Sequence, residues 1–423
     1  MQDINASVSR LMIYRNLKDD PLIHRLLSVQ YAKAAYLACR EQHADTKSSE
    51  INLLALYSEF YYALSEDQNA FSPDWGEYVL NLCRKDDNLF ARRCALRKDS
   101  PESASAHRIE DDFEHAVKEE LSCILNIANT SPDAYLSCIS DYVACPGWNN
   151  RATTSMDADQ LYLYLFEFHT TNSFGPFAMH HFFKYLDGEW APVFHPDPIL
   201  PEMLFEYEYE LSLVRDNTLR LIHQRLGENM LLFGARGTGK SSSIKAMVNA
   251  YHVEGLRLIE VDKDGIAHLP ALLEKLSGLA PYDLSFIIFL DDLVLQENDS
   301  QFRILKTVLE GGVNTRPPHV AIYATSNRRH MIAEKHDNDM YENDAREEKL
   351  SLSDRFGVTI RFASPNQKTF LSIVYGILDK HALQYNPEEI AEKALAWAMR
   401  ENGRSPRTAR QFVDYYRSLS PNA

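Results

Sequence analysis

One stretch of the chain, GARGTGKS at residues 234–241, has residue types and spacing that fit phosphate binding. It matches the pattern G-x-x-x-x-G-K-[ST], whose glycines let backbone N–H groups turn inward and approach phosphate oxygens closely. An apolar run, NMLLFG, precedes the motif and an amphipathic stretch, SSSIKAMVNAY, follows it, which disfavours a chance glycine-rich turn. We expect Lys240 to reach the β- and γ-phosphates and the Ser241 hydroxyl to bind Mg²⁺. The predicted nucleotide-binding residues of the loop are Gly234, Ala235, Arg236, Gly237, Thr238, Gly239, Lys240, Ser241 and Ser242.

Two adjacent acids, Asp291 and Asp292, end an apolar run in the stretch FIIFLDDLVL at 286–295. Because ligands of open α/β sheets bind beyond the carboxyl ends of the strands, we expect Asp291 to hold Mg²⁺, usually through water. Asp292 would then be the general base that polarises the attacking water. Aspartate is about 1.5 Å shorter than the glutamate common at this place, so a solvated loop acid remains the alternative. Glu297, on the following loop, is a weaker candidate base.

A neutral amide, Asn327, closes the next apolar run in YATSNRRH at 323–330. An isolated Asn at the end of a strand is more often a helix cap than a catalytic residue. Its position one strand after the acid pair favours a different role, in which the amide donates to the γ-phosphate and orients water. The sequence therefore predicts Asn327 as a catalytic residue on a strand that neighbours the acid pair.

Short apolar runs alternate with helical stretches through this half of the chain and predict the strands that must position these residues. The runs are NMLLFG (229–234), LRLIEVD (256–262), SFIIFLDD (285–292), HVAIYATSN (319–327) and GVTIRFA (357–363). Such a pattern indicates an α/β fold with a parallel sheet covered on both faces. From residue 364 the chain is helical, and three predicted helices begin with a cap residue and a proline: Ser364-Pro365, Asn386-Pro387 and Ser405-Pro406.

The first half of the chain has a different pattern. Apolar residues recur at spacings of three and four in 21–41, 50–66 and 110–128, which predicts helices. The segment APVFHPDPILPEM is rich in proline, which stops helices, and predicts a linker. We therefore predict a mainly helical N-terminal domain (1–190), a linker (191–201), a nucleotide-binding core (202–363) and a helical lid (364–423).

The composition and the spacing of cysteines and apolar residues argue against several classes of protein. A hydrophobic content of 45% across 423 residues is enough for globular cores, and a net charge of −16 argues against non-specific coating of nucleic acid. The six cysteines are not spaced as C-x-x-C, which favours free thiols in a reducing cytoplasm. There is no run of 18 apolar residues, so we expect a cytoplasmic protein without a membrane span. The adjacent pair His180-His181 would diverge on a helix, which disfavours a metal site.

Taken together, the motifs resemble those of the AAA+ ATPases: a P-loop, an acidic strand, an Asn on the next strand, an arginine and a helical lid. Within that superfamily, GARGTGKSS, FLDDL and above all YATSNRRH resemble a family of predicted bacterial AAA+ ATPases catalogued as a domain of unknown function. The resemblance covers residues 202–423. It implies a P-loop AAA+ parallel-sheet core with a C-terminal helical lid, ATP and Mg²⁺ as cofactors, and hydrolysis of ATP to ADP and phosphate.

Two arginines take their expected roles from the resemblance. LSDRFG (352–357) is similar to the end-of-helix arginine motif of the Holliday-junction branch-migration motor and of clamp-loader-like proteins, so Arg355 would be an arginine finger. The alternative for Arg355 is a salt bridge with Asp354 or a nearby acid. RSPRTARQF (404–412) resembles the lid motif of the same motor, which makes Arg407 the sensor 2 candidate and Arg404 its nearest competitor.

The leading interpretation is therefore an ATPase that acts as a homo-oligomeric ring, a hexamer being one arrangement, and remodels or regulates a protein client through its N-terminal domain. One alternative is a slow-turnover, ATP-dependent switch or scaffold, because Asp292 replaces glutamate. Another is a DNA-associated loader of the clamp-loader or initiator type, which the acidic charge disfavours. An acidic segment, HDNDMYENDAREEK (336–349), is either a solvated loop or an element that selects partners.

Overall fold

The computed structural model describes residues 4–43, 45–97, 111–139, 145–186, 188–294, 300–310, 316–327, 355–401 and 403–419. The candidate base Glu297, the acidic segment 336–349 and Asp354 lie outside the described residues. The chain divides into two compact units, Met1–Met179 and His180–Ala423. In the parts of the chain that the structure describes, every helix is too short or too polar to cross a membrane.

The first unit is helical, as its apolar spacing predicts. Its helices are α1 (Ile4–Arg10), α2 (Pro21–Glu41), α3 (Lys47–Gln68), α4 (Trp75–Lys85), α5 (Leu89–Cys94), α6 (Asp111–Ala128), α7 (Asp133–Leu136), α8 (Ala158–Asn172) and α9 (Pro176–Met179). Helix α2 begins at Pro21 because the Asp20 carboxylate accepts the backbone N–H groups of Leu22 and Ile23, at 2.9 and 3.0 Å. In the core, the ring of Phe60 packs edge-on against Trp75, with centroids 5.1 Å apart.

A seven-stranded sheet forms the centre of the second unit. Its strands are β1 (Phe182–Leu186), β2 (Glu189–Pro192), β3 (Met230–Gly234), β4 (Leu256–Glu260), β5 (Ser285–Leu290), β6 (Val320–Ser326) and β7 (Val358–Phe362), in the order β2-β1-β4-β5-β6-β3-β7. All neighbours are parallel except β1 and β2. Every residue of β5 and β6 is buried, which is the reason why these strands read as continuous apolar runs. The predicted parallel sheet is confirmed.

Between the strands lie α10 (Glu208–Gln224), α11 (Lys240–Tyr251), α12 (Leu269–Ser277) and α13 (Ser300–Glu310). Strand β6 lies between β5 and β3 in the sheet. The carboxyl ends of these three strands therefore lie side by side, and they carry the acid pair, Asn327 and the phosphate loop. This strand order is what brings together residues that are far apart in the sequence.

The hairpin of β1 and β2 was not predicted. It belongs to the second unit, so the sheet begins before the proline-rich segment, inside the range we assigned to the N-terminal domain. Lys184 pairs with Glu260 of β4, which makes β1 a parallel neighbour of the core strands. His180 and His181 accordingly precede a strand and do not lie on a helix. The aromatic residues of FFKYL, which are common in strands, are the signal that could have indicated β1.

The C-terminal helices are α14 (Gln367–Lys380), α15 (Pro387–Arg400) and α16 (Pro406–Leu419). The predicted starts at Asn386-Pro387 and Ser405-Pro406 are confirmed. The predicted start at Ser364-Pro365 is wrong, because α14 begins at Gln367. There the side chain of Asn366 accepts the backbone N–H of Thr369 at 2.9 Å and so caps the helix.

Candidate active site

The phosphate loop connects β3 to α11 through backbone angles that favour glycine. Gly234, Gly237 and Gly239 have φ angles of +145°, +74° and +97°. A Cβ atom at Gly234 would overlap the carbonyl oxygen of Phe362 on β7, so the loop also needs a residue without a side chain for close packing. Helix α11 begins at Lys240 and therefore points its N-terminus at the loop, a geometry suited to anions.

Lys240 lies in the concave side of the loop. Its Nζ atom donates to the carbonyl oxygens of Gly234 at 2.9 Å and Ala235 at 2.8 Å, and to Oδ1 of Asn327 at 3.2 Å. Burial lowers the pKa of this ammonium group, while the carboxylates of Asp292 and Asp291 act in the opposite direction. The side chain thus connects the loop to the end of β6.

A hydroxyl and a carboxylate lie side by side where we predicted the metal. The Ser241 hydroxyl donates to Oδ1 of Asp291 at 2.6 Å. Hydroxyl and carboxylate oxygens are the ligands that Mg²⁺ prefers, so this donor set fits the ion, with Ser241 and Asp291 as the residues that would hold it directly or through water. The hydroxyl of Thr325 donates to the same oxygen of Asp291 at 2.6 Å. Thr325 was not predicted, because its contact with Asp291 depends on the pairing of β5 with β6.

Asp292 lies against Asn327. The Asn327 side-chain amide donates to Oδ1 of Asp292, and the backbone of Asp292 is left-handed, with a φ of +48°. Both side chains are in contact with the same cavity as Lys240. The structure therefore brings together the predicted base and the predicted water-orienting amide, and it shows a direct contact between them.

The lid closes over the loop through α16. Ser405 caps this helix by accepting the backbone N–H of Thr408 at 3.1 Å. The backbone N–H of Arg407 donates to the carbonyl oxygen of Gly237 at 3.2 Å. Arg407 and Arg410, one helical turn apart, both line the cavity, whereas Arg404 is absent from the described residues that line it. Arg410 was missed, and its position three residues after Arg407 is the signal that could have indicated it.

The cavity has a volume of about 600 Å³, enough for a nucleotide-sized ligand. Away from the phosphate loop its wall is apolar and is formed by Leu204, Phe205, Ile373 and Ile377. Such a surface suits the flat face of a base. Gly376 makes room for Phe205, because a Cβ atom there would lie 2.7 Å from the ring.

Tyr207 also lines the cavity and is largely buried. Its hydroxyl donates to the carbonyl oxygen of Ala363 at 2.8 Å, and its ring stacks on Phe362 with centroids 5.4 Å apart. The position of the Tyr207 side chain is thus explained mainly by its packing against the core.

A family model described as a protein of unknown function, DUF815, matches residues 178–419. The chain belongs to the DUF815 family. The match begins just before β1, so it includes the hairpin, the sheet, the phosphate loop and the lid. A search among curated proteins found no match.

Solved structures similar to this DUF815 protein include the Holliday junction branch migration motor RuvB of Thermotoga maritima. That structure is 10% identical, has a TM-score of 0.32, and is aligned over 52% of this chain and 73% of its own. A mutant of RuvB from the same organism is 16% identical, has a TM-score of 0.34, and is aligned over 51% of this chain and 63% of its own. This chain thus spans less than two thirds of that mutant's length. The second unit of the DUF815 protein has a P-loop AAA+ fold, with a mainly parallel sheet, a phosphate loop between β3 and α11, and C-terminal helices.

Arg355 of the DUF815 protein lies outside the described lining of the cavity. Its Nη2 atom pairs with Oε1 of Glu310 at 2.5 Å. Glu310 lies at the end of the described part of α13, and the guanidinium group neutralises the charge of its carboxylate. The structure thus shows the ion pair with a nearby acid that we considered as the alternative, and Arg355 does not reach the phosphate loop of its own chain.

The two adjacent histidines of the DUF815 protein are engaged with other rings. His181 stacks on His252 with centroids 4.4 Å apart, and His180 packs edge-on against Phe194 at 5.2 Å. No group of three or more potential metal ligands among His, Cys, Asp and Glu occurs in the described residues.

Proposed function

We propose that this DUF815 protein binds ATP with Mg²⁺ between its sheet and its helical lid and hydrolyses the γ-phosphate. The observation that carries the proposal is the convergence of the phosphate loop, the acid pair and Asn327 on one cavity. These groups come from the ends of three adjacent strands, and the cavity continues into an apolar pocket suited to a base. A chance glycine-rich turn would not assemble this set.

In the proposed mechanism, the glycines of the loop and Lys240 hold the β- and γ-phosphates. Mg²⁺, when bound at Ser241 and Asp291, neutralises charge on the phosphate oxygens. Asp292 accepts the proton of the attacking water, and the amide of Asn327 holds that water or the γ-phosphate in line. The hydrogen bond between these two side chains shows that both reach the same point of the cavity.

The lid would report the state of the nucleotide. Arg407 reaches the cavity from the first turn of α16, where the helix dipole disfavours a cation, so a phosphate anion would stabilise it. Loss of the γ-phosphate would weaken this contact and release the lid. We propose that the first unit binds a protein client and that the movement acts on that client. We also propose a homo-oligomer in which Arg355 contacts the nucleotide of a neighbouring subunit.

A slow-turnover switch is the second candidate, and one observation favours it. The carboxylate of Asp292 is engaged with the amide of Asn327, and both groups must be free to contact water before hydrolysis. A protein that keeps this hydrogen bond while ATP is bound would hold the triphosphate for a long time. Comparison of the turnover rate with the rate of ATP dissociation distinguishes the two candidates.

The proposal is tested by measuring ATP binding and phosphate release for the natural chain and for Lys240→Ala. The natural chain should bind ATP with Mg²⁺ and release phosphate, and Lys240→Ala should lose both activities. Lys245→Ala, on the same helix and outside the described lining of the cavity, is the matched control and should behave like the natural chain. Equal binding by Lys240→Ala and the natural chain would contradict the proposal.

A further inference from the structure

The two neighbouring acids face the same cavity, which consecutive residues of an extended strand cannot do. Side chains alternate between the two faces of a strand. Strand β5 ends at Leu290, and Asp292 adopts a left-handed backbone with a φ of +48°. This conformation is unfavourable for a residue with a side chain, although less so for aspartate than for most, and neighbouring groups stabilise it.

Thr325 on β6 is the residue that holds this turn. Its hydroxyl accepts the backbone N–H of Asp292 at 2.8 Å, and its carbonyl oxygen accepts the backbone N–H of Leu293 at 2.7 Å. Two successive N–H groups of the turn are thus bound by one residue of the adjacent strand. The side chain of Thr325 is 1% exposed, so water does not compete for its hydroxyl.

The same hydroxyl also fixes the orientation of Asp291. Because the oxygen of Thr325 accepts from Asp292, its single proton is directed to Oδ1 of Asp291 at 2.6 Å. That oxygen also accepts from the hydroxyl of Ser241. The backbone N–H of Asp292, shared between Thr325 and Asp291, is a third donor to this oxygen, at 3.1 Å. These donors set the rotation of the carboxylate group, and with it the placement of the proposed metal ligand.

We propose that Thr325 is a positioning residue that sets both acids, and that the turn it locks compensates for the short side chain of Asp292. A glutamate reaches water with an extra methylene group, whereas here the backbone redirects an aspartate into the cavity. This inference rests on the proposed function for the roles of the two acids. The hydrogen bonds that Thr325 makes to the two acids and to Leu293, here called the clamp, do not depend on those roles.

The test compares Thr325→Val, which keeps the shape and loses the hydroxyl, with Thr325→Ser, which keeps the hydroxyl. Losing a buried hydrogen bond in this position should lower kcat about tenfold and weaken the affinity for Mn²⁺, used as a probe for Mg²⁺, by a similar factor. The affinity for ATP without metal should stay within about twofold, since the loop and the base pocket are unchanged. Thr325→Ser should restore both the rate and the affinity for Mn²⁺.

Hydrogen–deuterium exchange gives a readout that does not depend on activity. A peptide covering residues 286–294 should exchange faster in Thr325→Val and at the natural rate in Thr325→Ser. Thr359→Val, at an exposed threonine of β7, is the matched control and should leave every measurement unchanged. The inference is overturned if Thr325→Val keeps natural exchange and metal affinity, or if Thr325→Ser is equally impaired. If the natural chain hydrolyses no ATP, the proposed function fails, while exchange and Mn²⁺ binding still decide on the clamp.

Discussion

The backbone N–H of Arg407 donates to the carbonyl oxygen of Gly237 at 3.2 Å, which seats the lid helix directly on the phosphate loop. A Cβ atom at Gly237 would lie 3.0 Å from the hydroxyl of Ser405 and 3.2 Å from Cβ of Arg407, so the two segments are packed without free space. A shift of the loop on nucleotide binding therefore moves α16. This contact gives the lid a physical route by which it would sense the phosphates of the proposed nucleotide.

Replacing Arg407 with alanine should weaken ATP binding about tenfold or more, because a hydrogen bond to a charged group contributes about 1.5–3 kcal/mol. The matched control is Arg404→Ala, at the exposed arginine three residues earlier, which should bind ATP normally. Titration calorimetry at fixed salt measures both variants. Equal losses of affinity in the two variants would show that ATP binding depends on the overall positive charge of this region and not on the position of Arg407.

Replacing Gly376 with alanine should lower the affinity for ATP and for adenosine by similar factors. The new Cβ atom would lie 2.7 Å from the ring of Phe205 and would push that ring into the base pocket. In a helix, alanine is favoured over glycine by about 1 kcal/mol. If the new Cβ atom did not disturb Phe205, the Gly376→Ala protein would therefore be more stable than the natural chain. Binding of tripolyphosphate, which lacks a base, should be unaffected. Unchanged adenosine affinity would rule out this wall as the base site.

The protein should lose stability as the pH falls from about 6.5 to about 4. Burial, and next the neighbouring ring of His252, lower the pKa of His181 to about 4. The unfolded chain, with a higher pKa, binds the proton more readily in this range, so protonation favours unfolding. His181→Gln should reduce the difference in Tm between pH 7 and pH 5, while His195→Gln, at an exposed histidine, should not. If the Tm of His181→Gln depended on pH as strongly as that of the natural chain, protonation of His181 would not be the cause of the lost stability.

Mixing subunits tests the proposed role of Arg355. Arg355→Ala and Lys240→Ala should each be inactive alone, and a mixture should regain part of the ATPase activity, because an intact loop can then meet an intact arginine. Glu310→Gln should not by itself prevent that recovery, since it removes only the partner of Arg355 within its own chain. A fully active monomer at low protein concentration would exclude a shared site.

Most of the fold follows from local patterns. The buried strands read as apolar runs, and Asn386 and Ser405 cap helices where the sequence places them. The hairpin was missed because its strands are short and β2 runs into the proline-rich segment. The start of α14 was missed because Asn366, not Ser364, provides the capping oxygen.

The site could be predicted where short motifs carry the chemistry, as in the phosphate loop, the acid pair, Asn327 and Arg407. Thr325 and the turn at Asp292 depend on the pairing of β5 with β6, and the ion pair of Arg355 with Glu310 on the packing of α13. Contacts between segments that are far apart in the sequence cannot be recognised from the residue types at the two positions.

The most direct test of the account is steady-state phosphate release by Asp292→Asn, measured together with its affinity for ATP. The substitution keeps the size of the side chain and removes the charge that accepts a proton. We predict that ATP binding stays within about twofold and that turnover falls about a hundredfold or more, as expected for loss of a general base. Turnover equal to that of the natural chain would contradict the account.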